Sequence, residues 1–194
     1  MKIRSAEFIS SETDIGRLPF DGLPEIVVIG KSNVGKSSFI NKFANRKSLA
    51  HSSNTPGRTR TANIFKINGE FYLIDMPGYG YAKASKTQKS VFAKIISDYL
   101  ERRTEDFVAF FLIDSRHTPG SGDKEMYNYI ASLGIYPVII VTKMDKLPVS
   151  KHKEQLRMIA KELGRDDLDG VFPFSIKSEE MAQNCRDFVE ELLS

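Results

Sequence analysis

An α/β fold, with a mostly parallel six-stranded sheet between two helical layers and one antiparallel edge strand, is what this 194-residue sequence predicts. Three observations carry that reading. Strand-like apolar runs alternate with helix-length amphipathic stretches from residue 25 onwards. Two of the runs, Phe107–Asp114 (FVAFFLID) and Pro137–Thr142 (PVIIVT), are continuously apolar, as strands are when helices cover both faces of a parallel sheet. A third pair, ANIFKI and FYLID, is joined through Asn68-Gly69, a dipeptide that tolerates the positive φ of a type I′ hairpin turn.

The elements follow in order. Residues 1–22 read as a polar lead that packs on a domain spanning 23–194. Glu25–Gly30 (EIVVIG) is a short apolar run ending in glycine, hence a buried strand, and a helix over Lys36–Phe43 succeeds it. Residues 46–60 are polar, contain Pro56-Gly57 and show no periodicity, which predicts a long mobile loop. After the hairpin comes a glycine-rich loop, MPGYGYAKAS, then a helix over Thr87–Arg103. Helices over Gly122–Leu133, Ser150–Leu163 and Glu179–Leu192 and a last strand at Val171–Phe174 complete the alternation. Ligands in such sheets bind outside the carboxyl ends of the strands. Each motif below falls at such an end.

Composition narrows the class. The 41% hydrophobic and 27% charged shares are those of an ordinary globular chain. No apolar run approaches the ~20 residues of a membrane span, and the opening MKIRSAEFISSETD turns polar too soon for a secretory signal. The lone Cys185 excludes an internal disulfide and reads as a half-buried structural thiol in the last helix. These features predict a cytoplasmic protein. The formal net charge of +3 is unevenly spread: residues 31–60 contain Lys31, Lys36, Lys42, Arg46, Lys47, Arg58 and Arg60 with no acid, and 76–97 contain Lys83, Lys86, Lys89 and Lys94 with none. That charge suits nucleotide phosphates and also a polyanion such as RNA.

Gly30-Lys31-Ser32-Asn33-Val34-Gly35-Lys36-Ser37 matches G-x-x-x-x-G-K-[ST] between a strand and a helix. Its glycines let the backbone wrap phosphate oxygens, and the N–H groups up to Ser38 at the helix start supply partial positive charge. Lys36 is placed to reach the β/γ-phosphates and Ser37 to hold Mg²⁺. Asp75, closing FYLID and followed by Met76-Pro77-Gly78, is the carboxylate expected at the metal, and Gly78 the N–H donor expected at the γ-phosphate. Lys36 and the backbone of Gly78 are the candidate transition-state stabilisers.

Thr142-Lys143-Met144-Asp145 closes the next strand. A carboxylate at Asp145 can accept two parallel hydrogen bonds from N1–H and N2–H₂ of guanine, whereas adenine presents an acceptor at N1. The Lys143 stem can lie along the purine face. Phe174-Ser175-Ile176-Lys177, after the last strand, is expected to bring backbone N–H groups near the guanine oxygen. The predicted ligand is therefore GTP or GDP, with a P-loop ATPase as the competing reading.

Gly30–Ser37, Asp75–Gly78, Thr142–Asp145 and Ser175–Lys177 together resemble the translation-factor-related GTPases, with Thr142 where that class usually has Asn and Ile176 where it has Ala. GKSNVGKSSFIN, NTPGRTRTANIF, DMPGYGYAKAS and VTKMDKL narrow the resemblance to the EngB/YihA family of bacterial GTPases. It implies a three-layer P-loop GTPase domain and a role in large ribosomal subunit assembly, with cell division and septation as associated functions. It also implies that Gly57-Arg58-Thr59-Arg60-Thr61 forms the first switch and that Thr59 joins Ser37 and Asp75 at Mg²⁺. The residues alone leave Thr55 and Thr61 as rivals. The expected partner is a large-subunit precursor (rRNA, ribosomal proteins or both), with no DNA, no membrane and a monomeric chain. The alternative is a regulatory GTP-binding module acting on division or membrane proteins without RNA.

The best-known small GTPases place a water-orienting glutamine directly after D-x-x-G. This chain has Tyr79, expected to pack or point outward, which predicts slow unassisted hydrolysis and acceleration by a partner. Asn33 stands at the loop position that related GTPases use to hold K⁺, a candidate second cation. His51 and His117 read as loop residues and His152 as helix surface. Residues 46–61 and 77–88 are the segments expected to move with the γ-phosphate.

Overall fold

The computed structural model describes residues 1–18, 21–50, 61–80, 86–102 and 107–193. Its strands are β1 (Ala6–Glu12), β2 (Glu25–Gly30), β3 (Ala62–Ile67), β4 (Phe71–Asp75), β5 (Phe107–Asp114), β6 (Val138–Thr142) and β7 (Val171–Pro173). The helices are α1 (Lys36–Phe43), α2 (Lys86–Arg102), α3 (Ser121–Ser132), α4 (His152–Glu162) and α5 (Glu179–Leu193). One sheet runs β1-β3-β4-β2-β5-β6-β7. From β4 to β7 all neighbours are parallel, and β3 is antiparallel to both β4 and β1.

The α/β class is as expected, but the sheet has seven strands, not six, and the antiparallel strand is not its edge. β1 comes from the polar lead and covers β3. Its sequence AEFISSE is largely exposed, with a register shift between Phe8 and Ser10, so it lacks the apolar run that marks the inner strands. An edge strand needs only one neighbour and one covered face. The hairpin supplies the tie. Asn68 (φ 53°) and Gly69 (φ 73°) both adopt the positive φ of the expected turn, and Glu70 N–H donates to the Ile67 carbonyl at 2.9 Å. The Asn68 side chain then accepts from the N–H groups of Arg4 (2.7 Å) and Ser5 (3.2 Å) and donates to the Lys2 carbonyl (3.0 Å).

Alternation along the buried strands splits the core in two. Ile26 and Val28 of β2 face a layer built by Phe39, Ile40 and Phe43 of α1 with Ala182, Cys185 and Val189 of α5. Val27 and Ile29 face Ile95 and Tyr99 of α2, Tyr127 and Ile130 of α3, and Ile159 of α4. The central strands β2, β5 and β6 are covered on both faces, so their sequences are apolar apart from the end residues Glu25, Asp114 and Thr142. Cys185 is fully buried rather than half-buried, and burial pushes its thiol up to about 12. Among the described residues no helix is long and apolar enough to cross a membrane.

Candidate functional site

β2, β4, β5, β6 and β7 deliver Gly30, Asp75, Asp114, Thr142 and Phe174 to one rim of the sheet. At Gly30 an added Cβ would lie 2.9 Å from Val34 Cγ1 and 3.1 Å from Leu112 Cβ, so the loop turns back on itself only without a side chain. Gly35 sits at φ 112° directly before α1, which has no side-chain cap. The first N–H groups of α1, from Lys36, Ser37 and Ser38, therefore lack intrahelical acceptors and are available to an anion.

Two buried charges lie beneath this loop. Lys36 places Nζ 3.4 Å from the Gly30 carbonyl; burial pushes its ammonium down, opposed by the charge of Asp75. Asp75 is pushed up to about 6 by burial, against the pull of Lys36 and a hydrogen bond from Asn63. Its Oδ1 is buried without a hydrogen-bond donor among the described residues. A carboxylate is rarely left this way unless a cation completes it. Asp75 together with the Ser37 hydroxyl would make an all-oxygen donor set of the kind that suits Mg²⁺.

The chain leaving β4 is fastened to the phosphate loop. Ser32 N–H donates to the Tyr79 carbonyl at 2.9 Å, Ser32 Oγ–H donates to the Gly78 carbonyl at 3.2 Å, and Lys31 and Tyr79 form a parallel bridge. An added Cβ at Gly78 would meet Ser32 Oγ at 2.9 Å and Lys36 Nζ at 3.0 Å. Tyr79 turns inward: its ring stacks on Phe111 at 6.3 Å and its hydroxyl donates to Asp123 Oδ1 at 2.9 Å. Burial, with Asp123 beside it, holds the phenol far above its ordinary value. It is a packing residue, with no proton to exchange near neutral pH.

On the other side of the loop, Thr142 Oγ1 lies 2.7 Å from the Val34 carbonyl and 3.1 Å from that of Ile113, so the hydroxyl that replaces the usual amide still ties β6 to the phosphate loop. Lys143 adopts φ 61° and carries Nζ to the Asn33 carbonyl at 2.7 Å. Ser175 Oγ–H donates to Asp145 Oδ1 at 3.0 Å and accepts from Lys177 N–H at 3.0 Å, pinning the carboxylate. Burial raises the Asp145 pKa, but the Ser175 bond with the charges of Lys146 and Lys177 leaves it lowered overall. The result is an ionised, half-buried carboxylate beside a lysine stem, at one end of an anion-binding loop.

A family described as 50S ribosome-binding GTPase has a sequence model that matches residues 25–144. A probable GTP-binding protein EngB from Clostridioides difficile (strain 630) is 45% identical over 175 residues, 90% of this chain and 86% of that protein. The chain belongs to the EngB family of GTP-binding proteins. The crystal structure of a probable EngB superposes with a TM-score of 0.73 at 22% identity, covering 87% of this chain and 98% of that one. Era in complex with MgGDPNP and nucleotides 1506–1542 of 16S ribosomal RNA superposes with a TM-score of 0.64 at 26% identity, over 88% of this chain and 56% of that one. As an EngB-family GTPase, the chain binds and hydrolyses GTP.

The EngB fold thus brings Gly30–Ser38, Asp75–Gly78, Thr142–Asp145 and Ser175–Lys177 to one rim, but not every predicted side chain faces it. Met76, Met144 and Phe174 are buried in the core, Phe174 against Phe39 at 4.7 Å, so these three offer the rim backbone only. Ile176 is 54% exposed. Thr61 Oγ1–H donates to Asn63 Oδ1 at 3.3 Å. Thr55, Gly57, Arg58, Thr59, Arg60 and His51 lie outside the described residues, as do 81–85 of the second expected moving segment. Within that segment, Gly78 and Tyr79 are the fastened residues, held because Ser32 offers both a backbone and a hydroxyl donor. His152 is part-buried at the start of α4: its Nε2 lies 3.1 Å from the Met144 carbonyl and 3.2 Å from that of Leu147, closing the turn that carries Asp145. Sequence reasoning passed over Asp114, although it ends an apolar strand as Asp75 does, and over Asp123, whose Oδ2 accepts Gly120 N–H at 2.9 Å while Oδ1 accepts from Tyr79.

Proposed function

We propose that this GTPase is a slow, guanine-specific switch that acts in assembly of the large ribosomal subunit. The observation that carries the nucleotide reading is the pairing of the buried Lys36–Asp75 charges under the phosphate loop with the Ser175-pinned Asp145 on the same rim. In this reading the N–H groups of Gly30–Ser38 cradle the α- and β-phosphates, Lys36 neutralises the β/γ oxygens, and Asp145 accepts from the guanine edge. Ser37 and Asp75 would hold Mg²⁺, with Thr59 as the third candidate ligand. When bound, the ion supplies charge neutralisation to the β/γ-phosphates.

Hydrolysis needs a water in line with the γ-phosphate and a group to orient it. Tyr79 is committed to Phe111 and Asp123, so the chain supplies no orienting group at the glutamine position. Unassisted turnover is then expected near the unassisted Ras rate of about 10⁻⁴ s⁻¹, with a partner or K⁺ at Asn33 as accelerator. Equal single-turnover rates in Na⁺ and K⁺ exclude the K⁺ role.

The ribosomal reading is supported by the family description and by the acid-free basic stretches flanking the nucleotide loops. It is tested by sedimentation of lysate: the protein is expected with large-subunit particles, more so with a non-hydrolysable GTP analogue. Recovery only in the free fraction at low salt overturns it. In this reading, disturbed division and septation on depletion follow from ribosome shortage.

A further inference from the structure

Lys143 ends in a built charge relay. Its Nζ is shared between the Asn33 carbonyl of the phosphate loop and Asp114 Oδ2, each at 2.7 Å. Asp114 is itself immobilised. Its Oδ1 accepts from Arg116 N–H and Arg116 Nε–H, each at 3.0 Å, and its Oδ2 accepts from Arg116 Nη2 at 2.8 Å. The fork is bidentate, which adds geometric specificity to an Arg–carboxylate pair. The carboxylate side chain is only 15% exposed and stands at the end of β5, hydrogen-bonded to β6 at Asp114–Thr142.

We infer that Asp114 is a positioning residue for nucleotide binding, acting through Lys143 to lock the base platform to the phosphate loop. This rests on the proposed guanine site. A lysine stem has four rotatable bonds, and an unanchored one loses that freedom only when the nucleotide arrives. Here the fixed Asp114 carboxylate and the Asn33 carbonyl hold both the head and the reach of the chain beforehand. The left-handed backbone at Lys143 (φ 61°) aims the stem along this line. With its ammonium turned to Asp114 and the Asn33 carbonyl, Lys143 leaves its methylenes to meet an aromatic base.

The test measures dissociation of fluorescent GDP from the full chain in a double-mutant cycle of Asp114→Ala with Lys143→Ala, each variant checked for folding by circular dichroism. Asp114→Ala is expected to speed dissociation by about tenfold, the usual weight of one charged hydrogen bond. Asp114→Asn, which keeps the shape and an acceptor, is expected to fall between it and the parent. In the Lys143→Ala background, Asp114→Ala is expected to add almost nothing, because a residue acting through another loses its effect when that other is gone. Unchanged dissociation in Asp114→Ala, or the same factor in both backgrounds, overturns the inference. A parent chain that binds GDP and ADP alike brings down the guanine reading itself; a parent selective for GDP with an indifferent Asp114→Ala overturns only the positioning role.

Discussion

At the scale of single residues, two carboxylates beside the rim, Asp114 at the end of β5 and Asp145 in the turn after β6, have opposite characters because of what donates to them. Asp145 accepts from Ser175 and is the proposed acceptor for guanine, and Asp114 is spent on Arg116 and Lys143. Asp145→Asn turns an acceptor into a donor where guanine donates, so GDP affinity is expected to fall by about 10- to 100-fold. Xanthosine diphosphate, with an oxygen in place of the amino group, is expected to gain over GDP, as competition binding will read. For Asp114, burial raises the pKa, but Arg116 and Lys143 outweigh it and hold the folded value well below 3.8. A depressed carboxylate contributes stability above its unfolded value that is lost as pH falls towards the folded one. The melting-temperature advantage of the parent over Asp114→Asn is therefore expected to be constant above about pH 4 and to shrink below it.

At the scale of elements, the loop after β4 illustrates how a missing glutamine is filled. The tyrosine there fastens the loop to α3 through Asp123, which also caps that helix by accepting Gly120 N–H. Tyr79→Phe keeps the stacking on Phe111 and deletes one buried hydrogen bond, leaving Asp123 Oδ1 without that donor. Urea unfolding is expected to register a cost of about 1–2 kcal/mol. Single-turnover GTP hydrolysis is expected to stay within about twofold of the parent, since a phenol so far above neutral pKa transfers no proton. Motif spacing located this loop and the absence of a glutamine. It could not say which way Tyr79 turns, because its partners, Phe111 and Asp123, arrive from elements 32 and 44 positions away. Hydrophobic period located β2, β5 and β6 for a physical reason: strands covered on both faces are apolar along their interior positions.

At the scale of the whole molecule, β1 closes what would otherwise be an open edge at β3. Ile64, Phe65 and Ile67 of β3 are buried, and Phe8 of β1 meets Phe65 edge-on at 5.9 Å. Deleting residues 1–12 uncovers a long apolar edge strand, and such edges pair with other chains. Size-exclusion chromatography is expected to show the truncated chain as oligomers or aggregate where the intact one elutes as a smaller species. The sequence by itself determined the nucleotide-loop signature, the place of Asp145 just beyond an apolar strand and the alternating βα architecture, because each is written in local spacing and in period. Tertiary structure alone decided the seventh strand, the inward turn of Tyr79 and the Asp114 anchor of Lys143. Each of these depends on side chains distant in sequence, or on an edge strand whose exposure erases the apolar pattern, and chain-local propensity does not encode such meetings.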